Sequence, residues 1–188
     1  MTRRKKLLTS AAAVCATAGA LLAASCRSTW DRRDPTGEVF PDVRGTSLAG
    51  DDVALPSAFR GRPVVLLVGY EQFTQFDLDR WLLGLTEAGV AVDVREVPTL
   101  PGLAPRAFSG FIDGGMRRGI PSEDWGSVVT VYGDAPKIAA FTGNRDGLPG
   151  RILLLDGEGR VAFFHDRGFS VGALKRLRDA IDAARAAK

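Results

Sequence analysis

The run Val64-Val65-Leu66-Leu67-Val68 constrains this chain more than any other stretch. It is apolar without interruption and mostly β-branched. A strand covered on one face alternates polar and apolar residues, so an unbroken run predicts a central strand covered on both faces. The next thirty residues supply its partner. Thr74-x-x-Asp77 reads as a helix start of capping-box type. Leu78, Trp81, Leu82 and Leu85 recur at the spacing of one helix face. Gly89 sits where a helix C-terminus favours glycine. Val90, Val92 and Val94 then alternate with Ala91, Asp93 and Arg95, predicting a second strand over 90–97. A strand, a helix and a strand in that order form a parallel pair joined by a right-handed crossover.

Other elements flank this unit. Val39 to Leu55 holds two apolar stretches around Gly50-Asp51-Asp52, a hairpin signal, and Gly61-Arg62-Pro63 leads into the central strand. Pro98 to Pro105 reads as a loop. Phe108, Phe111, Ile112 and Met116 predict a helix that Gly110, Gly114 and Gly115 weaken. Val128 to Tyr132 predicts a third strand, and Lys137 to Phe141 a helical turn. Ile152 to Leu155 and Val161 to Phe164 flank the turn Asp156-Gly157-Glu158-Gly159. Ser170 is placed to cap a last helix whose apolar face is Val171, Leu174, Leu177, Ile181 and Ala184. The fold class is α/β, and no internal repeat is present.

The N-terminus reads as an address. Arg3, Arg4, Lys5 and Lys6 precede nineteen uncharged residues, Leu7 to Ser25, rich in alanine. A basic start, a short apolar run and small residues at the end make a secretory signal. The small residues before Cys26 resemble a bacterial lipobox, although Ala23 stands where leucine is favoured. That resemblance implies cleavage before Cys26 and lipidation of its thiol. An ordinary secretory signal leaving Cys26 free and an uncleaved anchor are the alternatives. The expected organisation is a signal peptide over 1–25, a lipidated cysteine and flexible tether over 26–38, and one domain over 39–188.

Cys15 and Cys26 are the only cysteines, so the domain has no thiol and no internal disulfide. Four of the 25 basic residues precede Cys26 and no acid does, which leaves 21 bases against 22 acids in the mature chain. No basic stripe remains, so nucleic acid is not an expected partner.

The order of elements resembles the thioredoxin-like fold in its peroxiredoxin and membrane-tethered thiol-disulfide oxidoreductase variants. Three stretches carry the likeness: Phe40-Pro41-Asp42-Val43 through Leu66, Leu148-Pro149-Gly150-Arg151 through Val161, and the final helix. The resemblance implies a three-layer sandwich with a central mixed sheet, an N-terminal β-hairpin extension and a C-terminal helix. Met116-Arg117-Arg118-Gly119-Ile120-Pro121 followed by Val129-Thr130-Val131-Tyr132-Gly133 is similar to a thioredoxin-like family of mitochondrial ATP synthase assembly factors, which also lack redox cysteines. In the redox enzymes a Cys-x-x-Cys follows the first central strand, where a helix N-terminus activates the thiolate. Here that place reads Tyr70-Glu71-Gln72-Phe73-Thr74, and none of these side chains carries electrons. The cis-proline expected to face it is displaced: Pro149 sits one residue early, and Gly150 holds its place.

Other chemistry is thin. His165 is the only histidine, and Phe164-His165-Asp166 is open to reading as a base with its carboxylate, or as a solvated turn. Asp156 to Gly159 lacks the ligand pattern of a calcium loop. Ser57, Ser109, Ser122 and Ser127 lie in no nucleophile elbow. Arg117-Arg118 reads as a helix-end cap. No metal or cofactor is expected. Phe73, Phe76, Trp125 and Tyr70 are expected near the former active-site edge.

The expectation is a non-catalytic, lipid-anchored binding or assembly protein of the cell envelope, with another envelope protein as partner. Its groove would involve Tyr70, Glu71, Gln72, Phe73, Thr74, Pro149 and Gly150. The alternatives are an enzyme using His165, Glu71 and Asp166 in the same cleft, or a purely structural module.

Overall fold

The computed structural model describes residues 29–186, so the expected signal peptide over 1–25 and Cys26 lie outside the described residues. Val43–Ser47 (β1) and Asp52–Leu55 (β2) pair antiparallel as the expected hairpin. Val64–Gly69 (β3) leads through a single turn of tighter helix into Gln75–Glu87 (α1), and Asp93–Pro98 (β4) returns parallel to β3. Two short helices come next, Leu103–Ala107 (α2) and Ser109–Gly119 (α3), then the two-residue strand Val129–Thr130 (β5). Ala135–Thr142 (α4), Arg151–Leu155 (β6), Val161–His165 (β7) and Val171–Ala186 (α5) complete the fold.

The central sheet runs β4-β3-β6-β7, with β3 and β4 parallel and the remaining pairs antiparallel. A smaller antiparallel sheet runs β2-β1-β5. The continuous apolar run of β3 does what its pattern requires. Val64, Leu66 and Val68 enter one core with Phe40, Ile138 and Leu153. Val65 and Leu67 enter the other with Trp81, Leu154, Leu177 and Ile181. Alternate residues of one strand therefore serve both layers. Ser170 Oγ accepts the Ala173 N–H at 3.2 Å and caps α5 as expected.

Four details differ from the sequence reading. The second central strand starts at Asp93, because the Val90 and Val92 N–H groups donate to Leu85 and Val90 carbonyls beyond Gly89. The loop expected over 98–105 contains the start of α2. The strand expected over 128–132 shrinks to Val129–Thr130, which pairs with β1, while Val128 and Val131 bridge to the edge of β4. The expected tether is bound to the domain from Trp30 onward. Trp30 N–H donates to Asn144 Oδ1 at 2.9 Å, and the Asn144 and Arg145 N–H groups donate to the Trp30 carbonyl. Arg32 closes a two-pronged ion pair on buried Asp166. No helix among the described residues is long and apolar enough to cross a membrane.

Candidate functional site

The C-terminal end of β3 faces the loop before β6, the place where a dithiol and a cis-proline would meet. Here the two segments are fastened together. The Glu71 carboxylate accepts the Thr74 N–H, and Thr74 Oγ1 faces the Glu71 N–H at 3.3 Å, a reciprocal cap one turn earlier than the sequence reading places it. Thr74 Oγ1 also donates to the Gly147 carbonyl at 2.9 Å. Gly147 lies so close beneath Glu71 that a Cβ there would stand 2.4 Å from Oε1.

Asp77, expected as the capping partner, acts across the fold instead. Its Oδ2 accepts the Gly150 N–H at 3.0 Å and its Oδ1 the Phe169 N–H at 2.7 Å. Gly150 does hold the close-packed place: a Cβ would stand 2.4 Å from Leu78 Cδ2. The Leu148–Pro149 peptide is trans; the cis bond among the described residues is Leu55–Pro56. The expected cleft between 71–74 and 149–150 is therefore closed by hydrogen bonds.

Arg151, to which the sequence assigns no functional role, is buried beneath this edge. Its guanidinium donates to the carbonyls of Gly143, Asp146 and Pro149 and lies 5.5 Å from the Tyr70 ring centroid. Burial lowers its pKa. Tyr70 is itself buried and hydrogen-bonded to Thr142 at 2.7 Å, and burial pushes its phenol up to about 12. The only sequence signal for Arg151 is a charge opening an otherwise apolar strand.

A groove of about 1030 Å³ opens on the other side of Glu71–Thr74, between α1, β4 and α3. Tyr70, Glu71, Gln72 and Thr74 line it; Phe73, Pro149 and Gly150 do not. The expected aromatic cluster is dispersed. Phe73 and Phe76 stack on each other at 6.4 Å in solvent, Tyr70 is in the core, and Trp125 Nε1 donates to the Ile120 carbonyl at 3.0 Å.

Helix α3 docks by its polar side. Tyr132 Oη donates to Asp113 at 2.7 Å, and Arg117 Nε donates to the Leu48 carbonyl at 2.7 Å while its guanidinium lies over Trp125. Arg117 thus serves another segment's carbonyl rather than capping its own helix. Ile112 and Met116 remain on the groove wall, and no residue of α3 is buried. Glu96 of β4 also lines the groove, with a single 3.3 Å hydrogen bond from Gln75. Burial raises its pKa above the ordinary glutamate value.

His165 and Asp166 do not form a dyad. His165 Nε2 sits 2.8 Å from the Gly168 carbonyl and its ring packs on Trp81, whereas Asp166 pairs with Arg32. Glu71 lies against Gly147 and accepts the Thr74 N–H, so His165, Asp166 and Glu71 are each engaged with other groups. No metal-binding cluster of His, Cys, Asp or Glu occurs among the described residues.

The chain has the thioredoxin-like fold. A member of the Sco family of cytochrome c oxidase assembly proteins superposes with a TM-score of 0.54 at 13% identity, over 83% of this chain and 98% of that one. An electron transport protein from Aquifex aeolicus gives 0.55 at 18%, over 80% and 99%. A peroxiredoxin-like protein from Aquifex aeolicus gives 0.55 at 11%, over 82% and 92%. Identities this low establish shared architecture alone. No protein-family model and no curated protein matches the sequence.

Proposed function

We propose that this chain is a lipid-anchored, redox-inactive thioredoxin-like protein that binds, and helps to assemble, another protein of the cell envelope. The observation that carries this reading is a thiol-free active-site edge closed by Thr74, Glu71 and Asp77 beside an open groove. Electron transfer to a protein disulfide needs a thiolate, and the folded domain has no cysteine. An assembly role also fits the use of this fold in the Sco-family cytochrome c oxidase assembly protein. Anchoring through Cys26 rests on the sequence before it. With the domain bound from Trp30, few residues would separate it from the bilayer, and each extended residue spans at most about 3.6 Å.

Two measurements test this reading. The mature N-terminus should be a lipidated Cys26 by mass spectrometry; a free or absent Cys26 overturns the anchor. A photo-crosslinking amino acid at exposed Phe73, in cells that make the protein, should yield a discrete envelope-protein adduct. The same crosslinker at Arg160, on the far side, should not. Equal labelling from both positions, or none from Phe73, rejects the binding role.

A further inference from the structure

The groove wall carries one sign of charge. Glu71, Asp79, Glu96 and Asp124 line it, and none of its described lining residues is Lys, Arg or His. Asp79, Glu96 and Asp124 have no ion-pair partner among the described residues. Carboxylates grouped between low-dielectric walls concentrate a negative potential and attract cations. Between them stand apolar side chains, including Leu82, Val94, Ile112 and Met116.

The orientation of α3 makes this surface more than incidental. Amphipathic helices ordinarily bury the apolar side and expose the polar one. Helix α3 instead fixes Asp113 and Arg117 onto Tyr132 and Leu48, leaving Ile112 and Met116 on the groove wall. Phe111 beside them is 78% exposed. The groove volume of about 1030 Å³ lies at the top of the range usual for small-molecule pockets, about 300–1,000 Å³. It is flanked by two helices, a geometry suited to receiving a third.

We infer that the groove between α1, β4 and α3 receives an amphipathic helix of a partner protein, with apolar side chains against Ile112 and Met116 and a Lys or Arg against Glu96. The inference deepens the binding role proposed above by naming the surface and the chemistry of the segment it takes. Apolar contact supplies affinity, and the carboxylates select against acidic helices by like-charge repulsion.

The test uses two labelled 14-residue helical peptides, one of Leu and Lys at amphipathic spacing, the other with Glu in place of Lys. Their binding to the whole protein, purified in detergent as cells make it, is followed by fluorescence anisotropy. The Lys peptide should bind and the Glu peptide should not. Glu96→Gln and Met116→Ser should each weaken binding about tenfold or more, with folding checked by circular dichroism. Asp52→Asn, on the smaller sheet, should leave binding unchanged. Equal binding of the two peptides, or equal loss in Asp52→Asn and Glu96→Gln, overturns the inference. So does failure of both peptides to bind. If that failure accompanies a persistent Phe73 crosslink in cells, the protein remains a binding protein and only the groove assignment falls. If the crosslink is also absent, both readings fall.

Discussion

Glu96 shows how one residue of an edge strand becomes a site. It lies on β4 at the groove wall, where its side chain is half-buried without being paired with a cation among the described residues. Burial raises its pKa; Asp79 and Asp124 push the same way, and the Gln75 hydrogen bond opposes them. The raised value means the folded chain holds this proton more tightly than the unfolded chain. Glu96 therefore weakens folding progressively as pH rises from the ordinary glutamate range to its raised value, and by a constant amount above that. Glu96→Gln should accordingly be least different from wild type in acid and gain relative stability through that window, reaching a plateau above the raised value. Urea unfolding across a pH series reads this directly. A pH-independent difference would show that the carboxylate is as well solvated in the fold as out of it.

Between elements, Asp77 is the fastening that defines the site. One carboxylate on α1 takes an N–H from the loop before β6 and another from the loop before α5. Both oxygens are used as acceptors. Asp77→Asn keeps only one acceptor and turns an amide nitrogen toward the other N–H. It should therefore cost about 2–3 kcal/mol, nearly as much as Asp77→Ala, because each unpaired donor carries its own desolvation penalty. Chemical denaturation gives the magnitude. Faster hydrogen exchange confined to the Gly150 and Phe169 amides would localise it; unchanged exchange there would contradict the assignment.

Across the whole molecule, the N-terminal segment acts as a strap. Trp30 joins the loop after α4, and Arg32 pairs with Asp166 at the end of β7. The Asp166 side chain is only 3% exposed and that of Arg32 is 56%, so removing the arginine strands a buried carboxylate, while the pair itself remains partly screened. Arg32→Ala should cost about 1–2 kcal/mol, below the value for a fully buried pair. At about 2–4 °C per kcal/mol for a domain of this size, thermal unfolding resolves that loss. Asp166→Asn in the Arg32→Ala background should recover part of it, since an amide needs no counter-charge. No recovery would mean that the guanidinium contributes through packing rather than charge.

The central layers are legible in the amino-acid order alone. An unbroken, mostly β-branched apolar run fits a strand covered on both faces, and β3 is one; of the expected helix face, Leu78, Trp81 and Leu85 enter one of those layers, while Leu82 is 40% exposed on the groove wall. The absence of a thiol from the folded part is equally plain. The groove is not, because its walls depend on contacts between residues far apart in the chain. Whether Ile112 and Met116 face the core or the groove is decided by Asp113 reaching Tyr132 and Arg117 reaching Leu48. Whether Asp77 caps its own helix or holds two distant loops is decided by where those loops fall. Periodicity gives each side chain a face. What stands opposite that face is settled when distant segments pack, and here packing closes the cleft of the redox fold and leaves an acidic groove beside it.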